Sequence, residues 1–499
     1  MKENFILKYI DFKFLAFAGV AAISILLTFT QCARPNSFAP SDVKPVLKTV
    51  SANGGGALYC SISGGCPLSV TGSQFYSGAK VFVGPYECLN SVVADTHDRI
   101  DCVIGPGKSG VFDIRIRNRD GNYSVLDSSV SDPTTVQFSY ASFLYLGVQD
   151  SPGKVYGYAQ NPLSGVLLPI VSSPFSIAIS SDQTYGTVIS PNNKFLYAAN
   201  VASATISTFA ITPQTGQLTA VGATVRSGAS SPNGLYFHPS GNFLYVTNQG
   251  GNSVSAFNVA ANGTLTAVAG SPFSAGTATA LNGIVVDSTG RYLYVASMGG
   301  TGGAVGFSID SNTGALTLIA GSPFRNSNGG FANTGDGITI HQNGRWLYMG
   351  LVGVKRVAAF SMNQMTGALT GIGVPVLNNA TSGYIDNGGS GANISPDGLY
   401  FYGTAFSTVA TDPKKVLTYN IDQTTGQLSL ASEADAGGGP NDVRVDINGT
   451  FAYTCNSSNT PSVSAFSRNP ASGALTPLSP RDIAIPTGNG GPGIMVIQK

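Results

Sequence analysis

The chain has 499 residues, a net charge of +1 and only 10% charged side chains, well below the quarter that is usual for globular proteins. Near-neutral charge, with no basic run and no aromatic-basic interleaving, excludes a nucleic-acid surface. The 63 glycines suit a turn-rich all-β protein, and the length allows two domains with a large core.

Lys2, Lys8 and Lys13 precede an apolar run from about Phe14 to Phe29, which reads as a secretory signal over residues 1–31. Cys32 follows the run directly. This arrangement resembles the lipobox of bacterial lipoproteins, although the usual small residue before the cysteine is Gln31 here. The resemblance implies lipidation at Cys32, a flexible tether over residues 32–44, and an exported, membrane-anchored protein of the cell envelope, the outer membrane being the expected site.

Residues 45–140 have their own rhythm. Cys60, Cys66, Cys88 and Cys102 crowd into this segment, and in an exported chain such crowding favours disulfides. Four cysteines allow three connectivities. Cys60–Cys66 and Cys88–Cys102 are expected because both are local and the second links neighbouring strands. Zinc is the competing reading, but no C-x-x-C pair is present. The run Gly72-Ser-Gln-Phe75, the strand Val81-Phe-Val-Gly84, the paired cysteines, Cys102 ahead of Pro106, Asn118-Arg-Asp-Gly121 and the closing Phe138-Ser-Tyr140 resemble the IPT/TIG domain. The resemblance implies an immunoglobulin-like sandwich serving as a spacer or adhesive module.

From residue 142 onward one unit repeats. Tyr145, Tyr197, Tyr245, Tyr294, Tyr348, Tyr402 and Tyr453 recur at steps of 48 to 54 residues. Each lies in an alternating apolar run such as Phe243-Leu-Tyr-Val246, which reads as a strand. A second strand follows, then a turn opened by Gly165, Gly216, Gly263, Gly314, Gly367, Gly426 or Gly473, then a third strand. An apolar stretch such as Gly234-Leu-Tyr-Phe237 precedes each tyrosine except the first. Four strands per 50 residues predict a seven-bladed β-propeller over residues 142–499. The strands of a blade are labelled a to d, b carrying the tyrosine. The first repeat lacks strand a, and Gly493-Ile-Met-Val-Ile497 is expected to supply it and close the ring. Cys455 is expected as a buried free thiol.

In that architecture the d-to-a and b-to-c loops share one face, and they are the long loops. The first residue of strand a then faces the channel mouth, which selects Tyr185, Asn233, Asn282, Asp336, Ser390, Asn441 and Pro492. Asp442 is next to this ring, and Asp386, Glu433 and Asp435 are expected in loops on the same face. His238 and His341 fall in the opposite turns. Tyr245-Val-Thr-Asn248 and the sevenfold unit resemble the seven-bladed lactonase family, with its 6-phosphogluconolactonases, muconate cyclases and YVTN-repeat surface proteins. The family's enzymes bring a Pro-Arg-His segment into a strand a and a Glu after the Tyr-Val-x-Asn strand. Here those positions read Pro232-Asn233-Gly234 and Gln249, and the last blade reads Pro440-Asn441-Asp442. Lactone hydrolysis needs a base and a group that holds the oxyanion. Asp336 is the one ring carboxylate, and Arg444 is the one cation near the channel.

The reading is a binding or scaffold propeller on an Ig-like spacer, monomeric and without cofactor. Its partner would be a protein, carbohydrate or small molecule on the long-loop face. The alternative is a lactonase-like hydrolase or muconate-type cyclase with a rebuilt site. A Ca²⁺ site at Asp336 and Asp386 lacks the D-x-D-x-D-G loop that would favour it.

Overall fold

The computed structural model describes residues 44–498 except 53–58, 63, 132–136, 150, 178–181, 301, 331–333, 353, 355, 378–383, 386–391, 407–413, 458–459 and 487–490. The signal segment, the tether and Cys32 therefore lie outside the described residues. The chain forms two compact units. One holds the described residues before Gly56 with Pro67–Val103 and Asp113–Gln137, and the other holds Ala57–Cys66, Ile104–Phe112 and Phe138–Lys499. Two short stretches of the expected Ig-like segment thus cluster with the propeller. Within that larger unit Gln214 Nε2 donates to Gly65 O (3.2 Å) and Asn448 Nδ2 to Ser109 O (2.8 Å).

The smaller unit is a two-sheet β structure. One sheet runs in the order Leu89–Val93, Arg99–Val103, Pro67–Ser73, Val46–Ala52, Val125–Leu126. In the other, Lys80–Val83 pairs with Gly110–Arg117 and with Tyr86–Glu87. Burial alternates along Lys80–Val83 and Arg99–Val103, as a half-buried strand requires. Leu68, Val70, Val81, Ile100 and Ile116 are fully buried. Cys88 is bonded to Cys102, and in the larger unit Cys60 is bonded to Cys66, which are the expected pairings.

The larger unit contains seven antiparallel blades. Strands a and b of blades II to V are Thr184–Ile189 and Phe195–Asn200, Pro232–Phe237 and Phe243–Asn248, Thr279–Val286 and Tyr292–Gly299, and Gly335–Ile340 and Trp346–Leu351. In blade VI strand a is split into Tyr384–Ile385 and Asn393–Ile394, both paired with Tyr400–Phe406. Blade VII starts with Pro440–Val445 and Phe451–Asn456. The closing strand Pro492–Ile497 pairs with Gln137–Val148 and completes blade I. Gln137–Val148 also carries the chain into the ring, its Ser139–Ala141 portion lying parallel to Tyr59–Ser61.

The core lies between blades rather than within them. One cluster joins Tyr245, Val254 and Ala256 of blade III to Leu293, Val295 and Phe307 of blade IV. The recurrent tyrosine explains the register of these interfaces. Each of the seven is fully buried, and a buried phenol needs an acceptor. Each donates to the carbonyl of the turn glycine in the following blade. The pairs are Tyr145–Gly216 (2.6 Å), Tyr197–Gly263 (2.8 Å), Tyr245–Gly314 (3.1 Å), Tyr294–Gly367 (2.5 Å), Tyr348–Gly426 (2.9 Å), Tyr402–Gly473 (2.8 Å) and, closing the circle, Tyr453–Gly165 (2.7 Å). Burial raises all seven phenols well above the ordinary tyrosine range. The aromatic two residues before each tyrosine covers the same glycine. A Cβ on Gly314, whose φ is +73°, would come within 2.4 Å of Phe243. On the opposite turns His238 and His341 reach Gly290 O (3.0 Å) and Gly398 O (2.8 Å) of the next blade, so these histidines are structural.

Gly314→Ala combines a left-handed backbone with overpacking and is expected to cost about 2–4 kcal/mol. Tyr245→Phe removes one buried hydrogen bond and is expected to cost about 1–2 kcal/mol. Urea unfolding of both variants beside wild type measures the ranking, and equal losses would contradict it.

Candidate functional site

Strand b ends the same way in several blades. Asn248 Nδ2 donates to Ser253 Oγ (3.2 Å) and Ser255 Oγ (2.8 Å), and Asn200 and Asn456 make the equivalent pairs. The amide pins the b-to-c connection. The next residue then bonds back to the entry of strand a: Gln149 N to Gly491 O, Val201 N to Gln183 O, and Gln249 N to Ser231 O. Thr247 Oγ1 donates to Asn282 O (2.9 Å) in the neighbouring blade, tying the mouths of two blades together.

Strand a enters blades II to V and VII through a register break. The a–b pairing shifts between Thr184 and Thr187, Pro232 and Leu235, Leu281 and Ile284, Gly335 and Ile338, and Pro440 and Asp442. These β-bulges fall on Tyr185, Asn233, Asn282, Asp336 and Asn441. A bulge breaks the two-residue alternation and re-aims a side chain. The residue after the ring position is usually glycine for a steric reason. A Cβ on Gly186, Gly283 or Gly493 would lie 1.9, 2.5 or 2.3 Å from a neighbouring blade's carbonyl carbon or oxygen atoms at its mouth residue.

The result is a cavity of about 320 Å³ at the channel mouth. Tyr185, Asn233, Asn282, Asp336, Asn441 and Gln249 all line it. Five ring positions taken from the repeat, with the residue after Asn248, thus meet at one place. Gln149, Gln183, Val201, Ser231 and Met298 join them. These five are new, and four have a readable signal: Gln149 and Val201 follow strand b as Gln249 does, while Gln183 and Ser231 lie two residues before their ring positions. Ser390 and Asp386 lie outside the described residues.

Other expectations are corrected by geometry. Glu433 and Asp435 are not loop residues but belong to strand d of blade VI, Leu428–Asp435, where Asp435 pairs with Lys415 at 2.6 Å. Arg444 is not among the lining residues. Its Nη2 is 3.2 Å from Asp442 Oδ2 and its Nε donates to Met495 O at 2.9 Å. Pro492 contributes its carbonyl, which accepts from Asn441 Nδ2 at 3.4 Å.

Within the cavity Asn282 Nδ2 donates to Asp336 Oδ1 and lies 3.3 Å from Met298 Sδ. Asn233 Oδ1 and Asn282 Oδ1 are buried without a hydrogen-bond partner. Among the described residues no basic side chain lines the cavity, and none form a group of three or more His, Cys, Asp or Glu fit to hold a metal.

Asp442 occupies the place where most blades have glycine. It is fully buried at the seam, and its Oδ2 accepts from Met495 N of the closing strand at 2.9 Å. Burial raises its carboxyl to about 6, against the opposing pull of Arg444. Cys455, free and buried as expected, donates to Gly493 O at 2.9 Å, and burial pushes its thiol up.

Residues 181–282 and 337–489 match the family model for the lactonase seven-bladed β-propeller. The chain belongs to that family. Residues 57–138 match the IPT/TIG domain. No curated protein sequence matches the chain. Among solved structures, a Bacteroides fragilis protein provisionally assigned as a 6-phosphogluconolactonase is 21% identical, with a TM-score of 0.59, covering 75% of this chain and 100% of its own. A similarly assigned Bacteroides uniformis protein is 19% identical, with a TM-score of 0.60, covering 72% and 99%. The periplasmic gluconolactonase of Pseudomonas aeruginosa is 18% identical, with a TM-score of 0.56, covering 72% and 99%. At these identities the likeness is one of fold.

The raised Asp442 carboxyl gives a pH prediction. Its folded value of about 6 exceeds the unfolded value, so its contribution to stability is fully present below about pH 4 and is lost as pH rises through 6. Asp442→Asn should therefore gain on wild type by up to about 3 kcal/mol between pH 4 and pH 8. Paired melting curves across that range measure the gain, and a constant offset would refute it.

Proposed function

We propose that this propeller is a binding or scaffold protein of the cell envelope. It is exported, anchored through a lipid on Cys32, carried on an Ig-like spacer, and engages its ligand at the long-loop mouth without the hydrolytic set of its family. One observation carries the reading: among the described residues the mouth is lined by carboxamides and a single carboxylate, with Asn233 and Gln249 where the family's enzymes carry Arg-His and Glu. Carboxamides donate and accept hydrogen bonds but take no proton near neutral pH. Activating water needs such a base, and a developing oxyanion needs a positive or strongly donating partner. Among the described residues Asp336 is the one carboxylate in the lining, and an amide of Asn282 already donates to it. The two disulfides support an oxidising compartment, consistent with export.

The purified chain is expected to leave a panel of sugar lactones and muconolactone unhydrolysed above the buffer rate. Turnover that disappears in Asp336→Asn would replace this reading with that of a lactonase with a rebuilt site. The anchor is tested on its own. Wild type should partition into the detergent phase of a Triton X-114 separation and Cys32→Ser into the aqueous phase. Equal partitioning would remove Cys32 as the lipid site.

A further inference from the structure

We infer that one side of the smaller, Ig-like unit docks on an anionic lipid surface, through the guanidinium groups of Arg115 and Arg117 and the exposed side chains of Tyr123, Val125 and Leu126. The inference takes from the proposal above that the chain is exported and tethered through Cys32, and it adds which face meets the membrane.

The face is built by Lys80–Val83 and Gly110–Arg117. Val81, Val83, Ile114 and Ile116 turn into the core, so Lys80, Phe82, Arg115 and Arg117 share the outer side. The register sets Lys80 directly opposite Arg117, and Phe82 directly opposite Arg115. Like charges facing each other across a sheet are unfavourable. Glu87 relieves Lys80 at 2.5 Å, but among the described residues no carboxylate pairs with Arg115 or Arg117. Arg117 lies over aromatic rings instead, its Cζ 5.0 Å from the Phe82 centroid and 5.9 Å from that of Tyr123. A stacked guanidinium keeps N–H groups for a phosphate.

Exposed apolar side chains continue from this face to the edge of the unit. Tyr123 bridges to Arg117, and Val125 and Leu126 pair with Val46 and Leu47. The three are 47%, 44% and 44% exposed. A tyrosine, apolar in body and polar at its tip, suits a membrane–water interface. The chain enters the unit at the same edge, where Val125 N donates to Pro45 O at 2.9 Å. Cys32 is 12 residues before Lys44, a reach of about 40 Å at most. A lipid on Cys32 holds this edge, rather than the opposite one, next to the bilayer.

Charge is divided in the same sense. On this side Lys44, Lys48, Lys80, Arg115, Arg117 and Arg119 outnumber Glu87, Asp113, Asp120 and Asp127 by two. At the far edge of the first sheet, formed by Leu89–Val93 and Arg99–Val103, Asp95, Asp98 and Asp101 outnumber Arg99 by two. An anionic surface attracts the first edge and repels the second, which orients the unit. Each Lys or Arg at such a surface is worth about fivefold in affinity. A basic second contact of this kind makes a lipid anchor firmer.

The test uses the full chain carrying Cys32→Ser, so that no lipid contributes. Its co-sedimentation with vesicles of phosphatidylethanolamine and phosphatidylglycerol is measured beside vesicles of phosphatidylcholine. The contrast between the two is the readout, because the apolar run Phe14–Phe29 serves both alike. Binding to the anionic vesicles is expected to be about tenfold tighter or better in low salt, and to lose that margin as NaCl rises. On anionic vesicles Arg115→Gln should cost about fivefold and Glu87→Gln should gain about as much. Both residues are exposed, so these variants keep the fold. Equal binding to the two kinds of vesicle, or no effect of either substitution, would overturn the inference. So would binding to soluble polygalacturonate in place of vesicles, which would assign the face to an acidic polysaccharide. Charge-dependent vesicle binding together with equal Triton X-114 partitioning leaves this face standing and removes only the anchor at Cys32. A lipidated Cys32 without charge-dependent vesicle binding removes this inference alone.

Discussion

The hydrogen bond from each strand-b tyrosine to the next blade's turn glycine is the interaction on which the ring depends. Among the described residues the blades share no backbone ladder with their neighbours, so their registration rests on side chains. An apolar interface alone tolerates sliding, because hydrophobic contact is non-directional. A buried phenol that must meet one carbonyl does not tolerate it. The glycine answers with two properties at once: a left-handed turn conformation, and the lack of a Cβ that would strike the aromatic lying over it. Tyr453 and Gly165 repeat the bond across the seam, so the last interface obeys the same rule as the other six.

With the blades held in register, the mouth becomes a rigid rim. Asn248 and its counterparts clamp the b-to-c turns, and the bulges in strand a turn the ring residues into the cavity. Among the described residues the rim is lined by six carboxamides, with Asp336 the one carboxylate. The relatives of known structure are similar in architecture at 18–21% identity, and such an architecture hosts more than one activity. Asp442 marks the one described strand-a entry where a charged side chain stands in place of the close backbone approach. That exception falls next to the closing strand, where Met495 N supplies its hydrogen bond.

Much of this was legible because the unit repeats. A pattern seen seven times reports strand order, turn positions and the equivalence of Tyr185, Asn233, Asn282, Asp336 and Asn441 without any single repeat being decisive. Gln249 was found because it follows a recognisable Tyr-Val-Thr-Asn strand, whereas Gln149 and Val201 follow strands that have drifted from that pattern. Met298 escaped because strand b of blade IV runs on to Gly299. Glu433 and Asp435 looked like loop residues because Ser-Glu-Ala-Asp is polar, yet pairing with Lys415–Ile421 extends strand d through them. Local pattern also does not tell which sheet a short strand joins. Tyr59–Ser61 reads as part of the sandwich but pairs with the strand that enters blade I.

The bulges at the start of strand a have a consequence for how this fold changes over time. In a regular strand, a side chain's direction is tied to that of every other residue, so altering what faces the channel risks the packing behind it. One extra residue at each of the five bulged entries uncouples the two. The identity of a rim side chain is then free to vary while the hydrophobic alternation deeper in the blade stays as it is. The rim behaves as a set of independently interchangeable positions mounted on an unchanging frame. A family with this frame can exchange side chains at its rim and still fold as before.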